Sequence, residues 1–518
     1  MKEISFGAEA RTKIKNGIDK AADAVAPTLG AVGMSALIDW EGLDPIVSDD
    51  GVTILKNLEF EDKYENMGLK MLRKAAIRTS NEGGDGTATT TVLTRALVSQ
   101  AFREIASDSS KIQEVRARLI SGRDHVIELL TQSRKEITED EIVSIAKISS
   151  LDDEVSELIA QAIKEVGKSG VISVEKSARI GYEMETVKGM KFESGFLSPH
   201  FITDREREFS VLENPAIVIV DRKVSMNEQI VGLMNSIATA GHRSVLWVAD
   251  DVDSLALASL IVNQQAGNFK VCCVKNPYTA SRAQDFLGDL AALTGGTVIS
   301  ESAGIKLPDA TVDHVGFAEK VVVSKGSCTV IGGKGSPELA DRVKAIENKI
   351  AETTSEYEKA MLEDRLAALT TGVGVIRVGT YTDVDFMAKK LKFENAINAT
   401  QAALAEGILP GGGIALLNIS KKIEDPIFKN ALSAPFYQMM TNAGESDDRT
   451  VLHEPEGIGI NFKTKKLVDM ISDGILDPFK VTRLAIESAV SVTLNLITTE
   501  TAIVTEVKKE EKQVLPGN

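Results

Sequence analysis

Cysteine is almost absent from this chain. Three occur in 518 residues, Cys272, Cys273 and Cys328, and they form neither a disulfide framework nor a CxxC pair. Their expected role is that of small buried hydrophobes. The five histidines (His125, His200, His242, His314 and His453) have no zinc-ligand spacing. Positive charge is in deficit, 59 Lys and Arg against 75 Asp and Glu, and the net charge of −16 is spread along the chain. That balance argues against a nucleic-acid-binding surface and for a solvated acidic exterior. No apolar run has transmembrane length and no secretory or Arg-rich leader is seen, so a cytoplasmic protein away from membranes is expected. Aromatics make up only 5%, and the apolar residues are mostly Ala, Val, Ile and Leu. GxxxxGK[ST] is missing, which excludes a P-loop.

What is present begins with length. A chain of 518 residues exceeds what one core organises, and about three domains are expected. Residues 1–131 read as mostly helical. Met67, Met71 and Ala75 recur four apart, as do Leu93, Leu97, Ala101 and Ile105, so two helices should flank the turn between them. From about 216 to 300, short apolar runs ("AIVIVD", "SVLWVAD", "KVCCVK", "TVIS") alternate with helical stretches ("NEQIVGLMNSIATAG", "SLALASLIVNQQAG"). That alternation predicts an α/β layer. Residues 338–370 predict a charged helical hairpin. One apolar seam carries Val343, Ile346 and Ile350, the other Tyr357, Met361, Leu362, Leu366 and Leu369, with the remaining face solvated. Ala-rich helices return from about 394. Helical, then α/β, then helical is the order of one domain inserted into another.

Four stretches put glycine or a carboxylate where a nucleotide would want them: "PTLGAVG" (27–33), "SDDGVT" (48–53), "EGGDGTATTT" (82–91) and "LPGGGIAL" (409–416). Each alone is also a plain tight turn. In the third, Thr87 to Thr91 should open a helix, where free N–H groups and the dipole favour phosphate. The stretch lacks the usual lysine and carries Asp85 instead. A carboxylate fits there as a ligand to Mg2+, a hard cation that bridges phosphates. Asp50, at its own glycine turn, is placed to orient an attacking water. The residues by themselves point to a magnesium–nucleotide site with no reaction assigned.

In combination these stretches resemble the group I chaperonins, the bacterial double-ring heat-shock proteins. "GDGTATTTVL", preceded by "TLG" and followed by "GGG" and "GILDPFKVTR", is joined by "EDKYENMGLKM", "GMKFESGFLSPHF", "LTGGTVISE", "ATQAALAEGI" and "ITTE" in the family's order along nearly the whole chain. The resemblance implies a multidomain α and α/β protein. Its parts would be a mainly helical equatorial domain (1–131 and 407–518), a small α/β intermediate domain (132–188 and 373–406) and an inserted α/β apical domain (189–372). It further implies an ATP-driven, homo-oligomeric ring of seven subunits that binds non-native polypeptides, with a lid co-chaperonin as a further candidate partner. The implied cofactors are ATP and Mg2+, with K+ as an additional candidate ion. By the same resemblance, ATP contacts fall at Thr28, Leu29, Gly30, Asp50, Gly51, Asp85, Gly86, Thr87, Ala88, Thr89, Ile148, Ser149, Gly411, Gly412, Asn461 and Asp477, and the metal ligand is Asp85. Polypeptide contacts fall at Phe196, Phe201, Val231, Met234, Leu257, Ile261 and Val262, the apolar face of each groove helix being also what a buried helix looks like. Hinges fall at Gly189 and Gly372.

The chain also departs from the family. The family's catalytic aspartate, which polarises water at the γ-phosphate, is matched by Asn395 in "FENAIN". An amide cannot accept a proton. Asp50 would then carry that role alone, or the neighbouring Glu394 would reach in, although one residue along a helix rotates the side chain by about 100°. ATP binding with slow hydrolysis is the expectation. A ring that holds nucleotide and client with little turnover is the second reading, and a small-molecule phosphotransferase lacks an acceptor site. Ala31, Asp49 and Ala88 stand where the family has proline, lysine and threonine. Ser194 replaces an arginine that pairs with the acidic position held by Asp383, and His200 replaces a tyrosine. The Gly–Met-rich tail is missing from the terminal "EEKQVLPGN", and the stretch 418–456 is short.

Overall fold

A computed structural model describes residues 2–39, 45–106, 109–150, 152–167, 170–177, 179–205, 208–279, 281–337, 339–353, 355–370, 372–445, 451 and 454–505. His453, parts of the short 418–456 stretch, the terminal "EEKQVLPGN" and the side chains of Tyr357 and Asp383 lie outside the described residues. Compactness divides the chain into two units, residues 1–160 with 391–518, and residues 161–390. The segments expected to form a separate small domain, 132–188 and 373–406, are shared between these units. The insertion of one unit into the other is as the order of patterns implied.

The discontinuous unit is mainly helical. Helices Lys63–Gly83 and Thr87–Ile105 flank the glycine turn. The helix Phe479–Ile497 packs against both, and its small and β-branched residues are buried on nearly every side. Helices Gly7–Val25 and Lys63–Gly83 touch backbone to backbone. A Cβ on Gly17 would come 1.8 Å from the Glu65 carbonyl oxygen, and one on Gly68 would come 2.0 Å from that of Ile14. Only glycine permits that approach. Two short sheets flank these helices, Lys2–Phe6 with Thr501–Thr505 and Ala36–Ile38 with Ile46–Ser48.

The continuous unit is α/β. Strands Ala216–Val224, Ser244–Val252 and Lys270–Lys275 are parallel, with Val218, Trp247 and Cys273 in register. Helices Glu228–Thr239 and Ser254–Gln265 supply the crossovers. Antiparallel strands Gly316–Val323, Cys328–Gly333 and Gly189–Phe192 extend the sheet. The fourth apolar run, residues 297–300, contributes one bridge, Val220 with Ile299, and no strand. A second sheet pairs Val373–Gly379 with Val171–Lys176 and Gly181–Val187. All three cysteines are free and buried, and burial pushes the Cys272 thiol up to about 12. Among the described residues no helix is long and apolar enough to cross a membrane.

The helical hairpin is Leu339–Glu352 and Glu356–Thr370. Leu339, Ile346, Leu362 and Leu369 enter the core of the continuous unit. Its charged face is not wholly solvated. Arg342 and Arg365 converge on Asp289, whose side chain is 3% exposed, with Arg365 Nε 2.9 Å from Asp289 Oδ2. A buried carboxylate needs such partners, and this pair pins the hairpin to helix Ser281–Thr294.

Candidate nucleotide site

The turn at Asp85 joins helices Lys63–Gly83 and Thr87–Ile105 in the discontinuous unit. Gly84 and Gly86, on either side of Asp85, adopt left-handed backbone (φ +85° and +93°). Asp85 Oδ1 accepts from the Gly86 amide at 2.5 Å, and Oδ2 accepts from the Ser149 hydroxyl at 3.3 Å. Helix Thr87–Ile105 then starts at Thr87, as its threonine run led us to expect. Thr91 and Thr94 donate to carbonyls of their own helix. In the first turn Ala88 and Thr89 are half-buried, whereas Thr87 and Thr90 are buried.

The other turns close on this one. A Cβ on Gly51 would lie 2.9 Å from Thr87 Cγ2, so the "DG" turn rests on helix Thr87–Ile105. Asp50 caps helix Gly51–Asn57, Oδ2 accepting from the Thr53 amide at 2.8 Å and hydroxyl at 2.6 Å. One oxygen of Asp50 is therefore engaged in positioning the turn. Thr28 donates to the Val25 carbonyl, and the carbonyls of Ala26 and Leu29 accept from Asn442 Nδ2, each at 2.9 Å. Gly30, at φ +94°, packs on Met439. The Gly411 amide donates to Ile475, and Gly412 packs on the Met470 methyl. Asp477 pairs with Leu409 across a short two-stranded sheet, beside the "GGG" turn. Ile148 packs against the cluster of Ile145, Ala403, Ile408 and Leu476.

Asn461 ends strand Ile458–Asn461 and is held by its own hydrogen bonds. Its Nδ2 donates to Asp473 Oδ2 at 2.6 Å, and its Oδ1 accepts from the amides of Lys463 and Thr464. The side chain is engaged in its own hairpin turn. Asn395 lies half-buried on helix Asp383–Glu406. One turn further along, Asn398 and Ala399 touch Gly84, whose Cβ would lie 2.2 Å from Asn398 Cβ. Residues three and four apart share a helix face, so Asn395, three before Asn398 and four before Ala399, lies on the side that meets the Asp85 turn, and Glu394, four before Asn398, borders the same side. Gly84 and Asn398 escaped the sequence reading. The doubled glycine in "GGDG" is the one signal that hinted at this contact.

Asp50 and Asp477 lie close enough to Asp85 for their charges to interact. Enclosure by protein raises the Asp85 pKa, opposed by the Gly86 amide and Ser149 hydroxyl and reinforced by the charge of Asp50. Asp85 remains open to solvent on its outer side. Asp477 is pushed up to about 7, first by burial and then by the charge of Asp85. Its folded-state pKa lies above the usual carboxylate value, so the folded state holds the proton more tightly. Stability from this group falls as pH rises from about 4 to 7 and is flat above. Asp477→Asn should therefore stabilise the nucleotide-free protein by on the order of 2 kcal/mol at pH 8. Melting curves at pH 8 and pH 5 check this, since the gain should shrink at the lower pH.

No group of three or more His, Cys, Asp or Glu among the described residues forms a metal cage. A Mg2+ ion needs no such cage, since it uses one or two carboxylates and completes its shell with phosphate oxygens and water. The unneutralised charge on Asp85 and Asp50 is what such a cation would relieve.

In the continuous unit, the residues expected to contact polypeptide divide by exposure. Phe201 is fully buried and Met234 nearly so, which corrects their placement on a binding surface, since both pack inward on the sheet. Phe196, Leu257 and Ile261 are half-buried. Val231 (50% exposed) and Val262 (61%) face solvent, joined by Leu255 (63%) and Met226 (60%), which the sequence reading missed. Gly189 and Gly372 have a steric reason to be glycine. A Cβ on Gly189 would lie 2.4 Å from Val373 Cγ2, and one on Gly372 would lie 2.6 Å from the Val187 carbonyl oxygen.

A profile of the TCP-1/cpn60 chaperonin family matches residues 21–507. Among solved structures, the chain is similar to chaperonin gp146 from the bacteriophage EL 2 (Pseudomonas aeruginosa), crystallised in the presence of ATP-BeFx. The TM-score is 0.65 at 20% identity, covering 97% of this chain and 99% of the phage protein. With a match over nearly its whole length and the same multidomain fold, the chain belongs to the TCP-1/cpn60 chaperonin family.

Proposed function

We propose that this chaperonin binds ATP with Mg2+ at the Asp85 turn, hydrolyses it slowly, and uses it to capture and release non-native polypeptide. The observation that carries this reading is the convergence of the "DG" turn, the "GDGT" turn and the face of helix Asp383–Glu406 bearing Asn395. Asp85, with Asp50 behind it, would hold the metal, which supplies charge neutralisation to the phosphates. The first turn of helix Thr87–Ile105 would cradle the phosphates, and Gly411 and Gly412 would approach the sugar. The free oxygen of Asp50 would orient the water. Asn395 adds no base, which is the reason for slow turnover. The ATP analogue in the phage structure supports nucleotide binding here.

Client binding falls to Val231, Val262, Leu255 and Met226, because exposed apolar side chains bind non-native chains through area without sequence readout. Self-assembly is supported by two short sheets with exposed apolar pairs, and a ring of seven is the number the family resemblance implies. Leu37 faces Val47 in one, and Ile4 faces Ile503 in the other. Each sheet has only two strands, so its outer edges are open for pairing with another chain. In this reading residues 1–131 and 407–518 act as the equatorial domain, 132–188 and 373–406 as the intermediate domain and 189–372 as the apical domain. Gly189 and Gly372 lie at the hinges. The second reading, a ring that holds clients with little or no turnover, is favoured by Asn395 alone.

The test is refolding of a chemically denatured enzyme. Recovery should require ATP and Mg2+ with the parent protein. Val231→Ser combined with Val262→Ser should weaken client capture about thirtyfold, on roughly 1 kcal/mol for each valine no longer buried, with ATP binding unchanged. Capture without any ATP-dependent release would favour the holding assembly. Undiminished capture by the double variant would refute the placement of the client surface.

A further inference from the structure

We infer that residues 161–390 carry a second ligand site, a pocket for a small phosphate ester built around Lys188 and Lys334. A cavity of about 350 Å3 is bordered by Lys188, Asn214, Glu319, Gly332, Gly333 and Lys334. That volume is at the lower end of small-ligand pockets and suits a sugar or polyol phosphate. Lys188 joins strands Gly181–Val187 and Gly189–Phe192, Glu319 belongs to strand Gly316–Val323, and Gly332 and Gly333 end strand Cys328–Gly333. The pocket is therefore walled by strands and their immediate ends.

The glycines shape it. The amides of Gly332 and Gly333 donate to the Lys188 carbonyl at 2.8 and 3.1 Å, which ties the turn to Lys188. A Cβ on Gly332 would come within 2.5 Å of the Glu319 side chain, and one on Gly335 within 3.1 Å of Lys188 Nζ. Larger residues would push both charged side chains out of the positions they hold. Gly332 and Gly335 also need left-handed backbone, each with φ +67°.

Charge decides the ligand class. Among the described residues, neither Lys188 nor Lys334 has a carboxylate within ion-pair distance, although Glu319 borders the same cavity. Lys334 Nζ lies 4.6 Å from the centre of the Phe317 ring. Glu319 is instead approached by the Arg377 guanidinium at 4.0 Å. Two lysines thus border the cavity, and its single acid lies near the Arg377 guanidinium, which also pairs with Glu185. Ammonium groups bind phosphate as point charges. The Asn214 amide and the Glu319 carboxylate offer partners for hydroxyl groups, which favours an ester over bare phosphate.

The test is calorimetric titration of the intact protein with ribose 5-phosphate, in saturating ADP and Mg2+ so that the Asp85 site is filled. Saturable binding is expected, with free ribose inert and inorganic phosphate weaker than the ester. Lys188→Gln and Lys334→Gln should each weaken binding about tenfold, the loss of one charge-assisted contact. Lys334→Arg, which keeps the charge, should bind nearly as the parent does, and unchanged melting curves exclude misfolding. Absence of saturable binding to the parent would overturn the assignment, as would a Lys188→Gln/Lys334→Gln double variant that binds as well as the parent.

Discussion

Asn395→Asp should raise steady-state ATP turnover by about 100-fold, the scale on which a positioned general base contributes. The substitution exchanges an amide nitrogen for an oxygen with almost no change in shape, at a half-buried position on a helix that already contacts the Asp85 turn. In the proposed reading it supplies a carboxylate on the side of the helix that meets the Asp85 turn. Asp50 cannot fully replace it, because one of its oxygens caps helix Gly51–Asn57. Phosphate release measured beside ATP binding separates the two effects. A new charge near Asp85 and Asp50 should leave affinity for Mg2+–ATP similar, since the cation offsets it. If the parent already turns over as fast as the variant, Asp50 alone suffices and the slow-hydrolysis reading fails.

Gly84→Ala should destabilise the protein by roughly 3 kcal/mol or more and weaken Mg2+–ATP binding at least tenfold. Left-handed backbone costs a residue with a Cβ about 1–2 kcal/mol, and overpacking adds about 1–3 kcal/mol. The clash at Gly84 is with backbone and Cβ atoms of Asn398 and Ala399, so no rotamer change relieves it. Relief requires the turn to part from helix Asp383–Glu406, which carries Asp85 away from the face bearing Asn395. Gly167→Ala is the control. It has a similar φ of +77° with open space around it, so it should show the backbone cost and no loss of nucleotide. Denaturant midpoints and nucleotide titrations on the two variants check both statements. Equal effects at the two sites would show that the close contact at Gly84 is unimportant.

The sequence by itself determined the order of helical and α/β parts, because apolar periodicity is a local property of about a dozen residues. Met67–Met71–Ala75 and Leu93–Leu97–Ala101 became the two helices around the turn, and "AIVIVD", "SVLWVAD" and "KVCCVK" became parallel strands. It also determined that Asp85 stands at a helix start without a lysine, since glycine and threonine carry their backbone preferences with them. Exposure was decided only by the tertiary structure. Phe201 and Val262 are both apolar residues of one motif-rich region, yet one is buried and the other exposed, because burial depends on which side of an element meets the sheet. The buried Asp289 with Arg342 and Arg365 joins residues 53 and 76 positions apart, and the Asp85–Ser149 bond joins residues 64 apart. Such partners leave no periodic trace in a sequence. They exist because packing brings distant backbone together and each polar group so enclosed must find a hydrogen bond.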